Sequence, residues 1–200
     1  MILQREFYEK DPLTVAKALL GKVLVHETVE GTTAGRIVET EAYMGPEDKA
    51  SHAFGGLRTC RTEPQFGAKG HAYIYLIYGM YYCLNVTAGE VPGKPEAVLM
   101  RALEPVDGFG LMAKRRSIAK SNKAKLANGP GKLCAAMGIS KKQNCADMCF
   151  PPFYIQNALS VPEKDIGAAT RIGVDYADEW KHKPWRFYLK SCPYVSVKIK

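Results

Sequence analysis

The sequence has no apolar run long enough to cross a bilayer. Its longest one, Ala72 to Leu84, falls short of the roughly 20 residues a spanning helix needs and is interrupted by Gly79 and several tyrosines. Met1 to Tyr8 is polar, carries charge early and has no apolar core, so no signal peptide is expected. A disulfide framework is also missing. The six cysteines, at 60, 83, 134, 145, 149 and 192, are irregularly spaced, and Cys145 and Cys149 stand without a second pair or a neighbouring histidine. They read as reduced thiols, and no structural zinc is expected, since that takes about four well-spaced ligands. There are no internal repeats, no low-complexity tracts and no P-loop spacing for a nucleotide. Acidic residues are scarce relative to basic ones. Asp plus Glu number 20 against 28 Lys plus Arg, which leaves a net charge of +8. That balance favours a polyanionic partner, either nucleic acid or an anionic surface.

What is present suits a soluble, intracellular, single domain over residues 1–200: 46% hydrophobic and 24% charged residues are ordinary for a globular chain of this length. Asp11-Pro12 starts a helix, Val15, Ala16, Leu19 and Leu20 give it an apolar face, and Gly21 stops it. Lys22–Thr28 and Gly35–Tyr43 read as strands paired through a turn at Glu30-Gly31. Lys49 to Gly70 shows no period and reads as a long loop, of a length that is usually either functional or mobile. Ala72–Ile77 and Tyr81–Val86 form a hairpin around Tyr78-Gly79-Met80, followed by a strand over Ala97–Leu103. Helices are expected over Phe109–Lys120 and from Gly129 to about Met137, and strands over Arg171–Val174, Trp185–Leu189 and Tyr194–Ile199. The fold class is α+β: a curved, largely antiparallel sheet with peripheral helices.

Three groups of residues could carry chemistry. Alternation along Arg36–Tyr43 places Ile37, Glu39, Glu41 and Tyr43 on one strand face. Two carboxylates between an isoleucine and a tyrosine are either a solvated face with ion pairs or a half-buried site in which one of them is a general base. Hydrolysis of an N-glycosidic bond, with its oxocarbenium-like transition state, asks for little more than such a carboxylate and a water. From the residues alone, Glu39 and Glu41 are equal candidates. Tyr73, Tyr75, Tyr78, Tyr81 and Tyr82 crowd the hairpin. They are either packing residues or a stacking surface, and a tip carrying Tyr78 and Met80 could wedge between base steps. Arg58, Arg61, Lys69, Lys114, Arg115, Arg116 and Lys132 supply cations, and Gly129-Pro-Gly-Lys132 opens a helix that could meet a phosphate or simply cap itself.

Six ordered blocks then resemble a known family. They are Gly21-Lys-Val-Leu-Val25; Arg36-Ile-Val-Glu-Thr-Glu-Ala-Tyr-Met-Gly-Pro-Glu-Asp48 with Ala50-Ser-His52; Tyr73-Ile-Tyr-Leu-Ile-Tyr-Gly-Met-Tyr81 with Asn85; Leu99-Met-Arg-Ala-Leu-Glu-Pro105; Gly129-Pro-Gly-Lys-Leu-Cys134; and Lys183-Pro-Trp-Arg-Phe-Tyr188. Over nearly its whole length the chain resembles the alkyladenine (3-methyladenine) DNA glycosylases. The resemblance implies a monofunctional glycosylase of base excision repair, acting on double-stranded DNA that contains damaged purines such as 3-methyladenine, 7-methylguanine, hypoxanthine or ethenoadenine. It implies no cofactor, no catalytic metal, no membrane partner, a monomer and a cytoplasmic, nucleoid-associated location.

Residue by residue, the resemblance makes Glu41 the base that activates water, leaving Glu39 as its structural neighbour. Arg101 helps hold Glu41 and a sugar-adjacent phosphate. Tyr43, His52 and Tyr75 become pocket walls, with the base between Tyr43 and His52 on one side and Tyr75 on the other. Asn85 disfavours the exocyclic amine of guanine. Tyr78, with Met80 beside it, is the intercalating tip, and Arg58 and Lys132 are phosphate contacts. The segment Thr62–His71 departs from the vertebrate pattern, Gln143–Asp165 matches loosely, and the polar N-terminal tail of mammalian members is missing, which implies a compact bacterial-type member. Three other readings remain: a binding module without activity, a lyase using a lysine, and a metal hydrolase, the last without a spaced ligand set.

Overall fold

The computed structural model describes residues 1–119 and 121–197. A short helix, α1 (Arg5–Tyr8), precedes α2 (Pro12–Leu19). The Asp11 carboxylate caps α2 by accepting from the Thr14 N–H at 3.1 Å, with Pro12 in the first turn where its missing N–H costs nothing. Val15, Ala16 and Leu19 are buried against the sheet, with Val15 and Leu19 each worth roughly 1.5–3 kcal/mol of transfer free energy.

The strands are β1 (Val23–Thr28), β2 (Gly31–Tyr43), β3 (Ala72–Ile77), β4 (Tyr81–Thr87), β5 (Ala97–Asp107), β6 (Phe153–Gln156), β7 (Ile166–Ala169) and β8 (Arg186–Leu189). The sheet runs β3-β4-β5-β2-β1-β6, and β8 joins β2 to β7. All named strand pairs are antiparallel. One edge of β2 is paired with β5. The other is shared, with β1 taking Gly31–Arg36 and β8 taking Glu39–Glu41. The carboxylate-bearing half of β2 is therefore an interior strand, buried on both faces. Thr40 faces α2, its Oγ donating to the Ala16 carbonyl at 2.8 Å. Helices α3 (Phe109–Arg116) and α4 (Pro130–Met137) complete the fold, with α4 packed on β4 and on α3. The mixed α+β class with a largely antiparallel sheet is as expected from the sequence.

Several local expectations are corrected. Strict alternation fails at Val38. Ile37 pairs with Leu103 and Glu39 with Ala102, so Val38 is an extra residue in β2, and Ile37 joins Val38 in the core instead of sharing the carboxylate face. Arg171–Val174 is irregular, because the Ile172 N–H is used on the Glu41 carboxylate and not on a ladder. The strand lies earlier, as β7, and β6 is a second short strand not expected from the sequence. Helix α3 stops at Arg116, with Ser117 in a left-handed conformation (φ 49°) and its N–H turned back to the Ala113 and Lys114 carbonyls, and Lys120 lies outside the described residues. Tyr194–Val197 is turn and bend, its Ser196 N–H donating to Glu39, and the rest of the expected last strand lies outside the described residues.

Candidate active site

A cavity of about 860 Å³ opens where β2, β4 and β5 meet the loops around them. Tyr43, His52, Arg61, Tyr75, Asn85 and Arg101 contribute to its walls. Glu41 lies directly behind that lining. It is fully buried and does not itself line the cavity, whereas the three residues around its carboxylate, Tyr43, Arg101 and Ile172, do. Its Oε2 accepts from the Tyr43 hydroxyl at 2.9 Å. Its Oε1 accepts from the Ile172 N–H at 2.8 Å and faces the Arg101 guanidinium at 3.2 Å. A carboxylate has about four lone-pair sites, so Oε2 retains capacity for one further donor.

Arg101 reaches this position through a bulge. Glu39 pairs with Ala102 and Thr40 with Met100, which leaves Arg101 as the extra residue of β5. Bulges commonly re-aim a side chain beside a site. Here the guanidinium spans both carboxylates, 3.4 Å from Glu39 and 3.2 Å from Glu41. Burial opposes its charge, but Glu41 and then Glu39 outweigh that and raise its pKa. Glu39 is held differently. It accepts from Arg186 at 3.0 Å and from the Ser196 hydroxyl and N–H at 2.9 and 2.6 Å, a set of partners that ties down the chain's end.

Tyr43 is shaped from behind by a buried ion pair. Arg171 and Asp48 are both fully buried, and the Arg171 guanidinium lies 4.9 Å from the Tyr43 ring and 5.0 Å from the Trp185 ring. Burial, followed by the Glu41 charge, pushes the Tyr43 phenol well above its ordinary pKa, so it remains a donor to Glu41.

His52 and Tyr75 touch edge to face, with ring centroids 4.5 Å apart. They therefore form one wall, with no slot between them. Arg61 approaches His52 Nε2 at 3.1 Å, and the Tyr73 hydroxyl lies 2.8 Å from His52 Nδ1. A guanidinium only donates, so Nε2 is the acceptor and the proton sits on Nδ1, an assignment made from the bonding pattern. Burial, then the Arg61 charge, lowers the His52 pKa to about 4. The Asn85 amide is buried in the wall and pinned by donating to the Tyr73 carbonyl at 3.1 Å.

At the hairpin tip, Tyr78 and Met80 are 82% and 65% exposed. Tyr78 (φ 53°) and Gly79 (φ 68°) are both left-handed, and the Met80 N–H donates to the Ile77 carbonyl at 3.2 Å. A tyrosine at positive φ costs free energy that a surface turn has no packing reason to bear. Lys132 lines the cavity mouth and donates to Asn128 at 3.1 Å. Arg58 is further along the long loop, its fork held by Glu63 at 2.8 and 2.6 Å and its plane over Phe66. The structure thus brings together Glu41, Arg101, Tyr43, His52, Tyr75 and Asn85, with Tyr78 and Lys132 at the opening, and leaves Arg58 in an ion pair outside the cavity lining. Sequence reasoning missed Ile172, Arg171 and the role of Asp48. The last sits inside a matched block and could have been found there, whereas a backbone donor such as Ile172 leaves no side-chain signal.

The family model for methylpurine-DNA glycosylase matches residues 6–193. The chain belongs to the methylpurine-DNA glycosylase family. It is 50% identical to a protein of Desulfitobacterium hafniense strain Y51 and 49% identical to one of Clostridium acetobutylicum, each match covering 98% of both chains. A Bacillus mycoides protein is 50% identical over 95% of this chain and 97% of its own. All three relatives are provisionally named 3-methyladenine DNA glycosylases. A methylpurine-DNA glycosylase is a hydrolase of DNA repair, and its substrate is DNA. Among the described residues there is no group of three or more His, Cys, Asp or Glu placed to hold a metal, and no helix is long and apolar enough to cross a membrane.

Proposed function

We propose that this glycosylase flips a damaged purine out of duplex DNA into the cavity and hydrolyses its bond to the sugar, with Glu41 as the general base. The observation that carries the reading is the Glu41 carboxylate, buried behind the cavity floor, held at Oε1 by Ile172 and Arg101, with one acceptor position left on Oε2 beside the Tyr43 hydroxyl. A water bonded there is oriented by an anion in a low-dielectric setting. It loses its proton to Glu41 as it attacks the anomeric carbon, and the same charge stabilises the oxocarbenium-like sugar. Arg101 keeps the carboxylate in place and offers a cation to the sugar-adjacent phosphate.

The base stacks against Tyr43 and the joined His52–Tyr75 wall. Purines methylated at N3 or N7 carry positive charge, so for 3-methyladenine and 7-methylguanine the aromatic walls add attraction and the base departs readily. Asn85, pinned to Tyr73, cannot swing away from an exocyclic amine at the purine 2-position. Tyr78, with Met80, fills the gap left in the duplex, and Lys132 meets a phosphate at the mouth. A phosphate at Arg58 has to compete with Glu63. The substrates are alkylated and deaminated purines: 3-methyladenine, 7-methylguanine, hypoxanthine and ethenoadenine.

Glu41→Gln tests the reading. It keeps the shape of the side chain but removes the basic oxygen. Single-turnover base release from a lesion duplex is expected to fall by roughly 10²–10⁴, the usual worth of general-base catalysis, with lesion-duplex affinity retained. Near-normal release by the variant would sink the assignment.

A further inference from the structure

The function proposed above leaves the cavity residue Arg61 without a task. Arg61 is exposed on the long loop, yet its guanidinium is turned inward to line the cavity. It lies 5.0 Å from the centroid of the Tyr75 ring and donates to His52 Nε2 at 3.1 Å. No carboxylate among the described residues pairs with it, unlike Arg58 three positions earlier on the same loop. Its partners are instead a π-face and an imidazole lone pair, two surfaces that an incoming purine would use. A planar cation thus occupies the aromatic wall.

We propose that Arg61 is a specificity-determining residue that occupies the His52–Tyr75 wall and must be displaced by the flipped base, so that neutral purines are penalised more than cationic ones. The inference rests on the function proposed above. Entry of the base is an exchange. Displacing the guanidinium forfeits its attraction to the Tyr75 face. A purine made cationic by alkylation restores an attraction of the same kind, whereas a neutral purine restores only ordinary stacking. Undamaged bases are neutral, so the guanidinium raises the threshold for entry of normal DNA bases. Two features make the displacement feasible. The residue belongs to a loop, and its contacts are weak individually, with no ion pair to break. Withdrawal also uncovers His52 Nε2, which then presents a lone pair to the base.

The test compares duplexes carrying a single hypoxanthine or a single 7-methylguanine in single-turnover release, for the parent and for Arg61→Met and Arg61→Lys. Met keeps the length and removes the charge, whereas Lys keeps the charge without the planar fork. For Arg61→Met, the hypoxanthine-to-7-methylguanine rate ratio is expected to rise roughly three- to thirtyfold, the span of a cation–π contact from exposed to desolvated, with Arg61→Lys in between. An unchanged ratio, with both rates falling together, marks Arg61 as a phosphate contact only and overturns the proposal, as does a shift towards 7-methylguanine. A second reading needs no activity. The ¹⁵N resonance of His52 Nε2 in the DNA-free protein is expected to move in Arg61→Met, and an unmoved resonance overturns the contact on which the inference depends. If the parent releases neither base, the proposed function itself fails and takes the specificity role with it, whereas a parent that releases both bases with a ratio unchanged in Arg61→Met overturns the Arg61 proposal alone.

Discussion

The Asp48–Arg171 pair offers the sharpest separation of fold from chemistry. Both side chains are fully buried. The Asp48 oxygens accept from both terminal nitrogens of Arg171 and from the Met44 and Ala50 N–H groups. Asp48→Asn keeps the volume but turns one acceptor into an NH₂ facing donors, and it leaves the guanidinium without a counter-charge. Removing one partner of a buried pair typically costs about 3–5 kcal/mol, because the remaining charge stays desolvated. For a chain of this length, that corresponds to a fall in melting temperature of roughly 6–20 °C. Arg171→Met combined with Asp48→Leu removes both charges, and such apolar replacements are often neutral in stability. The double variant is expected to recover part of the stability, since the Met44 and Ala50 N–H groups lose their acceptor, while remaining slow. Arg171 backs the Tyr43 ring and immediately precedes Ile172, the backbone donor to Glu41. Urea denaturation gives the stabilities, and single-turnover release from a lesion duplex gives the rates. If Asp48→Asn stays within 1 kcal/mol of the parent, a threshold below the roughly 3–5 kcal/mol expected, or if the double variant releases base at the parental rate, then the pair does not position the site.

Two further expectations concern single residues. Tyr78→Gly relieves a tyrosine at φ 53° whose side chain is 82% exposed, and the relief offsets the added freedom of glycine in the unfolded chain. Stability should therefore change by less than about 1 kcal/mol while lesion-duplex affinity falls; unchanged affinity in a filter-binding or anisotropy assay would remove Tyr78 from the wedge role. His52 is expected to stay neutral down to a midpoint of about 4, from an ordinary 6.5, because of burial and then Arg61. The folded state resists a proton that the unfolded chain accepts, so this group's contribution to stability is complete above about 6.5 and is lost as pH falls towards 4. An NMR titration of the imidazole checks this, and a midpoint of 6 to 7 contradicts the buried, Arg61-bonded geometry.

The long elements were legible in the sequence because each carries its own signal. Helix α2 has a cap, a proline and a buried face, and the β3–β4 hairpin has paired strand-forming runs around a glycine tip. The elements missed are those whose backbone bonds are settled elsewhere. β6 and β7 are four residues each, too short to show alternation, and exist because β1 and β8 offer them edges. The segment around Ile172 has strand-like residues but gives its N–H to a carboxylate 131 positions away.

The same distinction governs the site. Glu39 and Glu41 are chemically identical and two residues apart, and alternation alone gives them one face and one role. What separates them is a set of contacts that no local pattern encodes. A compensating pair of bulges turns Arg101 onto both carboxylates. Ser196 and Arg186 then converge on Glu39 with three hydrogen bonds, while Tyr43 and Ile172 give Glu41 one each. One carboxylate is thereby committed to the chain's end and to β8. The other stands directly behind the cavity lining with an acceptor position still open on Oε2, which is the difference that the proposed role of Glu41 requires.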